Sequence, residues 1–189
     1  MSTARKLATY ADLEALPDNV IGQIIAGELH AMPRPRARHA RASSRLGGAL
    51  DGPFDRAPGG PGGPGGWIFL DEPELHLAED VLVPDIAGWR RDRMPEVPDV
   101  AAIELAPDWV CEVLSPSTER VDRIDKMRVW SRERVAHVWL VNPALETFEV
   151  YALDGRRYAV AQTFVGDDPV RAEPFDAIEV DLAAVWGKR

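Results

Sequence analysis

The stretch DWVCEVLSPSTERVDRIDKMRVWSRERVAHVWLVN, residues 108–142, decides the fold predicted for this chain. It opens on an apolar segment, 108–114, which is followed by serine, proline and threonine residues that stop a strand and can cap a helix. The segment 118–134 predicts that helix, and the apolar run 137–142 predicts a second, buried strand. Because a strand–helix–strand unit normally joins parallel neighbours, the sequence indicates an α/β (α+β) fold with a locally parallel pair.

Further elements are predicted on both sides of this unit. In chain order they are a short helix over 10–17, a hairpin within 20–32 that turns near Ala26 and Gly27, a helix from Arg36 to Leu50 that ends at Gly52 and Pro53, strands over 67–70, 81–89 and 147–153, a turn at Asp154 and Gly155, and a short helix over 181–186.

Residues 58–66 read PGGPGGPGG, which is too short for a collagen-like helix and too poor in apolar side chains to pack a core. We expect a flexible surface loop over 52–66 within a single domain, 1–189. A loop that contacts substrate is the alternative, because long loops sometimes carry function.

Composition bounds the classes of protein that the chain can be. Hydrophobic residues make up 46% and charged residues 28%, which is typical of a globular domain. The single cysteine, Cys111, excludes an internal disulfide and a cysteine-rich zinc site. No run approaches the ~20 apolar residues of a membrane span, and residues 1–17 lack the apolar core of a secretory signal. We therefore expect a cytoplasmic protein without a membrane partner.

The net charge is −9 and the isoelectric point is near 4.9, which counts against a protein that coats nucleic acid. The charge is unevenly distributed, however. Residues 34–45 hold five arginines, one histidine and no acid, and they indicate a basic face on an acidic protein.

Two carboxylates stand inside apolar strands, Asp85 in VLVPDIAGW and Glu112 in WVCEVL. A buried carboxylate without a partner is costly, so such a group normally meets a cation, a metal or a hydrogen-bond network. If the two strands are neighbours, both acids can hold one ion, and oxygen ligands favour Mg²⁺ or Mn²⁺ over Zn²⁺. The alternatives are that Asp85 faces water at a strand end and that Glu112 pairs with an arginine.

Other side chains near these acids have ordinary interpretations. Lys126 follows Asp122 by four residues, a spacing typical of an ion pair on a solvated helix face. Cys111 lies on the strand face opposite Glu112, because side chains alternate along a strand, and is expected to be a small buried residue. Trp67, Trp130 and Trp139 are expected in the core, as is Trp89, for which stacking on a base is the minor alternative.

The segments PDIAGW, PDWVCEVLSPST, DRIDKMRVW and HVWLVNP, in that order, resemble a bacterial family of restriction endonuclease-like proteins with no assigned function. That family belongs to the PD-(D/E)xK nuclease superfamily, and the resemblance covers roughly residues 10–152. It implies a restriction-endonuclease-like fold, in which helices flank a central mixed β-sheet.

The resemblance also implies roles for particular residues. Asp85 matches the PD aspartate and a metal ligand, and Glu112 matches the second carboxylate and metal ligand. The superfamily lysine would stand at Leu114, but this family carries it on the next helix, where it matches Lys126. Glu28 matches an early glutamate of the site, and His39 matches a histidine before the first long helix.

The implied function is that of a Mg²⁺- or Mn²⁺-dependent endonuclease that hydrolyses DNA phosphodiesters. A homodimer would suit this function, because duplex cleavage cuts two strands. The alternative is a non-catalytic module on the same fold that binds nucleic acid or protein. A glycosidase with a carboxylate pair explains Asp85 and Glu112 but leaves Lys126 unexplained.

Overall fold

A computed structural model describes residues 7–189. The strands are β1 Val20–Ile25, β2 Glu28–Pro33, β3 Trp67–Asp71, β4 Leu75–Leu77, β5 Asp80–Leu82, β6 Ile86–Arg90, β7 Trp109–Val113, β8 His137–Asn142, β9 Thr147–Asp154, β10 Arg157–Val165, β11 Pro169–Val170 and β12 Val180–Asp181. The helices are α1 Tyr10–Glu14, α2 Ala37–Phe54, α3 Met127–Arg132 and α4 Leu182–Trp186, and a π-helical segment, Val121–Lys126, leads directly into α3.

Three sheets organise these strands. The largest has six strands in the order β10-β9-β8-β7-β6-β3, the second has four in the order β2-β1-β5-β4, and β11 pairs with β12. Within the large sheet β7 and β8 are parallel and the other neighbours are antiparallel, so the sheet is mixed. The predicted α+β class and the parallel strand–helix–strand unit at 108–142 are confirmed.

The predicted strand over 81–89 is wrong as a single element. The chain leaves the four-stranded sheet after Leu82 and enters the six-stranded sheet at Ile86, so Asp85 lies in the connection between two sheets. Both ends of the run are buried in apolar surroundings, and therefore hydrophobic pattern alone cannot show the change of sheet. Pro84, which cannot donate to a strand ladder, is the local signal for the break.

Helix α2 is longer than the sequence predicts. It continues through Gly52 and Pro53 to Phe54, because Ala42, Leu46, Leu50 and Phe54 form one buried stripe at four-residue spacing against the large sheet. Tertiary packing of Phe54 thus outweighs the helix-breaking residues before it.

The glycine-rich segment lies at the surface and begins at Asp55 instead of 52, because α2 occupies the earlier residues. Its ends are tied together, since the backbone amide of Gly65 donates to the carbonyl of Pro53 and that of Gly66 donates to Arg56. A Cβ atom on Gly63 would fall 2.2 Å from the carbonyl oxygen of Pro53, and one on Gly65 would fall 2.3 Å from that of Ala57, so the turn requires glycine there.

Two hydrophobic clusters fill the two faces of the large sheet. One contains Trp67 and Trp139 and packs under α2 and α4, and the other contains Trp89 and Trp130 and packs under α3 and the small sheet. Trp89 is fully buried and its indole donates to the carbonyl of Leu105, so it is not available to stack on a base. The four tryptophans named here are core residues, as expected.

None of the helices formed by residues 7–189 has the length and apolar content to cross a bilayer. The interpretation of residues 1–6 as lacking a secretory signal lies outside the described residues.

Candidate active site

The end of β7 and the start of β6 bring Asp85 and Glu112 to one place. Ile86 pairs with Cys111 across these antiparallel strands. Asp85, which precedes Ile86, therefore lies opposite Glu112, which follows Cys111. The Asp85 Oδ2 atom accepts a hydrogen bond from the Val113 backbone amide at 2.6 Å. This contact fixes the aspartate against the strand that carries the glutamate.

Glu112 is a buried carboxylate with one oxygen engaged. Its side chain is 1% exposed, and its Oε2 atom accepts a hydrogen bond from the Lys126 ammonium at 2.8 Å. Its Oε1 atom is buried and meets no hydrogen-bond donor among the described residues. A lone-pair oxygen left in this state is costly and is normally satisfied by a cation or water. The partner of Glu112 is thus a lysine, and the predicted alternative of an arginine is wrong.

The local sequence predicts that Lys126 lies on a solvated helix face, but in the structure this side chain is buried. Its side chain is 3% exposed, and its Nζ atom lies 2.8 Å from Glu112, 3.1 Å from Asp122 and 3.4 Å from the carbonyl of Val83. The π-helical segment turns both Asp122 and Lys126 inward. The spacing of these residues in the sequence does not reveal that Asp122 is buried. Lys126 therefore lies beside both acids of the candidate site.

Burial and neighbouring charges shift the pKa of both Glu112 and Lys126. Burial raises the pKa of the Glu112 carboxyl, and the negative charges of Asp122 and Asp85 raise it further, although the charge of Lys126 acts in the opposite direction. Burial disfavours the charged lysine, but the three surrounding carboxylates outweigh it and raise the pKa of Lys126. One lysine thus lies among the carboxyl groups of Asp85, Glu112 and Asp122.

His39, in the first turn of α2, completes the inner wall of the cleft. Its Nε2 atom lies 3.3 Å from Asp85 Oδ1, and its Nδ1 atom is buried without a partner among the described residues. Burial lowers the pKa of the imidazole, yet the hydrogen bond and charge of Asp85 outweigh this effect and raise it. The weak sequence match to a histidine therefore falls directly at the site.

These side chains line a cleft of about 360 Å³. Arg34 and Arg36 form one rim, and the hydroxyl-bearing turn Ser115–Thr118 forms another. Gln23 lies in the wall, where its Oε1 atom accepts a hydrogen bond from the Val83 amide. Gln23 is not among the site residues predicted from the sequence, although a polar residue within the apolar strand VIGQII is a detectable signal.

Glu28 is not brought to this cleft. It begins β2 beside the hairpin turn and is paired with Ile25, whereas the cleft is lined by Met32 and Pro33 at the other end of the same strand. A strand rises about 3.3 Å per residue, so the two ends lie roughly 15 Å apart. The assignment of Glu28 as a fourth site residue conflicts with this geometry.

The described residues contain no group of three or more His, Cys, Asp or Glu side chains arranged as a metal site. Cys111 is buried on the opposite face of β7, where burial raises the pKa of its thiol well above the ordinary value. It belongs to the aromatic core, as expected, and not to the cleft.

Comparison with known proteins bears on the class of this site. The Uma2 family model, described as "Putative restriction endonuclease", matches residues 7–184. A solved structure from Anabaena variabilis, described as a "putative nuclease belonging to DUF820", has the same fold: the TM-score is 0.75 over 95% of this chain and 98% of the other, at 18% sequence identity. No curated protein matches the chain. The expected restriction-endonuclease-like family and fold are confirmed.

Proposed function

We propose that this chain, which belongs to the Uma2 family, is a metal-dependent endonuclease that hydrolyses DNA phosphodiester bonds at the cleft of Asp85, Glu112 and Lys126. The observation that carries the proposal is the buried Oε1 atom of Glu112, which has no hydrogen-bond donor among residues 7–189 and lies in a cleft with three carboxylates.

The residues present fit a divalent cation with oxygen ligands. Glu112 Oε1 has no partner among the described residues, and Asp85 Oδ1 meets only His39 Nε2, at 3.3 Å, which leaves it a lone pair for an ion. Mg²⁺ commonly binds proteins through one or two carboxylates and keeps several waters, so a cage of three acidic side chains is not required. When bound, the ion polarises a phosphate oxygen and lowers the pKa of a coordinated water.

Lys126 and His39 have separate tasks in this proposal. Lys126 holds the Glu112 carboxylate in place and contributes positive charge beside the developing negative charge of the phosphate. His39 orients Asp85 through Nε2, and in its protonated form it can hold a proton within the cleft. Arg34 and Arg36 at the rim supply guanidinium donors for phosphate oxygens.

Cleavage of supercoiled plasmid and single-stranded DNA with Mg²⁺, Mn²⁺ or EDTA tests the proposal. We expect the D85N and E112Q variants to lose cleavage by about 100-fold or more, because each removes a ligand charge from the ion. Asp108→Asn is the matched control. Asp108 is similarly buried at the other end of β7, with 14% exposure against 15% for Asp85, and it pairs with Arg93 outside the cleft.

Titration calorimetry with Mn²⁺ gives a second readout that does not depend on turnover. Binding should weaken in D85N and E112Q and persist in D108N. Cleavage that survives both site variants would identify a contaminant and refute the site. A wild-type protein that binds DNA without cleaving it under any metal condition would instead favour the non-catalytic module.

A further inference from the structure

We infer that a nucleic-acid strand reaches the cleft along an arginine ridge, defined as Arg34, Arg36, Arg38, Arg41 and Arg45, which binds its phosphate backbone. The inference rests on the proposed function in taking nucleic acid as the ligand, and it assigns the surface that positions this ligand.

The ridge consists of cations without acidic side chains as partners. All five arginines are exposed, and none forms an ion pair with an Asp or Glu side chain among residues 7–189. Eight arginines elsewhere do form such pairs, in a chain whose acids outnumber its lysines and arginines by 31 to 22. Arginines without a carboxylate partner also occur elsewhere among the described residues, and what distinguishes the ridge is that five of them follow one another within residues 34–45, beside the cleft.

Two ridge arginines make main-chain contacts. Arg34 donates to the peptide carbonyl of Asp18, which leaves its charge intact, and Arg41 donates to a main-chain oxygen of Arg189, the last residue of the chain. Asp181 lines the same surface pocket as Arg41 and Arg45, but its carboxylate caps α4 and contacts Arg189. Neither Arg38 nor Arg45 has an acidic side chain as a partner among the described residues.

Helical geometry aligns the ridge with the cleft. At 3.6 residues per turn, Arg38, Arg41 and Arg45 fall within about 60° of one another on α2 and span about 10 Å of its length. Arg34 and Arg36 line the cleft itself, so the row of cations starts at the candidate active site and leads away from it.

Beyond Arg45 the same face of α2 carries no side chain that would obstruct a ligand. Gly48 and Gly52 continue the stripe, and a Cβ atom at either position would meet no atom within 4 Å. The exposed row of guanidinium groups offers paired donors to successive phosphates, which is the chemistry of backbone recognition. Contacts of this class position a strand and read no sequence.

Binding of short labelled single-stranded and duplex DNA in EDTA, followed by fluorescence anisotropy over a range of salt concentrations, tests the inference without any cleavage. The test variant is R38A/R45A, because neither side chain makes a hydrogen bond or ion pair that the fold requires. The matched control is R156A/R157A, which removes two exposed arginines without carboxylate partners from the turn between β9 and β10.

We expect R38A/R45A to weaken binding about tenfold or more at low salt and to reduce the slope of log affinity against log salt by about 1.5, since two phosphate contacts are lost. The control should keep the wild-type affinity and slope. Equal loss in both variants would show a general effect of net charge and overturn the inference, as would a wild-type protein that binds no DNA.

The same variants with phosphatidylserine vesicles separate nucleic acid from another polyanion. Loss of vesicle binding with DNA binding unchanged would overturn the assignment of a nucleic-acid ligand. The test of the ridge is also independent of the proposed activity. DNA binding that depends on the ridge in a protein that does not cleave would refute the endonuclease and support the ridge. Cleavage by the wild-type protein together with unchanged DNA binding by R38A/R45A would support the endonuclease and refute the ridge.

Discussion

On one face of β7, Trp109 and Cys111 join an aromatic layer, whereas on the other face Glu112 meets Lys126 and Asp122. Both layers are almost entirely buried, and residues that alternate along a single strand belong to them in turn. The aromatic layer stabilises by excluding water, but the charged layer retains a carboxylate oxygen with no partner among the described residues. Equal burial therefore serves stability on one face and, in the proposed function, an ion-binding site on the other.

The largest expected effect on stability comes from a substitution in the aromatic layer. Trp139 packs its ring against Trp109 at 4.9 Å, Phe148 at 4.9 Å and Phe175 at 5.5 Å between centroids. We expect Trp139→Ala to lower the free energy of unfolding by about 3–5 kcal/mol, because it opens a cavity in a close-packed core. Urea unfolding measures the change, and Trp139→Phe, which fills part of that cavity, should lose less. Equal losses would exclude packing as the cause.

A smaller loss is expected from the charged layer. Lys126→Met leaves Glu112 and Asp122 buried without their cation, and we expect it to cost about 3 kcal/mol of unfolding free energy. The double variant K126M/E112Q should recover part of this loss, because a neutral amide needs no cation. A double variant that is no more stable than K126M would show that the cost does not come from charge.

Cleavage activity should also distinguish the charged layer from the aromatic layer. We expect K126M to lose cleavage even where it is fully folded, whereas folded W139A should retain it, since Trp139 lies on the opposite face of the sheet from the cleft.

The smallest effect concerns a partly exposed ion pair on the same π-helical segment. Arg123 donates two hydrogen bonds to Glu149, at 2.7 and 2.9 Å, and these bonds lower the pKa of that carboxyl. A depressed folded-state pKa means that the pair stabilises the protein above the ordinary glutamate pKa and that this stability is lost as the pH falls through the folded-state value. We expect Glu149→Gln to cost about 1 kcal/mol at neutral pH and nothing in acid.

Urea unfolding at pH 7 and in acid measures this difference. Glu119→Gln is the matched control, because Glu119 accepts one hydrogen bond from the same arginine within its own helix and should cost only about 0.3–0.5 kcal/mol. A loss in E149Q that persists unchanged in acid would contradict an origin in charge.

The elements predicted from sequence were those with local signals. The hairpin at Gly27 and the strand–helix–strand unit at 108–142 follow from turn residues and periodicity, and both are present. Asp85 and Glu112 could be selected because a carboxylate in an apolar strand conflicts with its surroundings.

The remaining features depend on contacts between distant segments. The burial of Lys126 and Asp122 is set by the sheet beneath them, and an i,i+4 acid–lysine pair has the same local pattern on a solvated face. The position of Gln23 in the cleft and the distance of Glu28 from it depend on which end of the β1–β2 hairpin lines the cleft, which local pattern does not encode.

The connection Val83-Pro84-Asp85 limits where insertions and deletions can occur in this chain. Its first residue is held by Gln23 on one side and Lys126 on the other, and its last residue is held by the Val113 amide. An inserted or deleted residue here would move Asp85 out of register with β7. The glycine-rich segment 58–66, by contrast, contributes no residue to the cleft. Insertions and deletions among relatives should therefore accumulate in that segment and be absent from the three-residue connection.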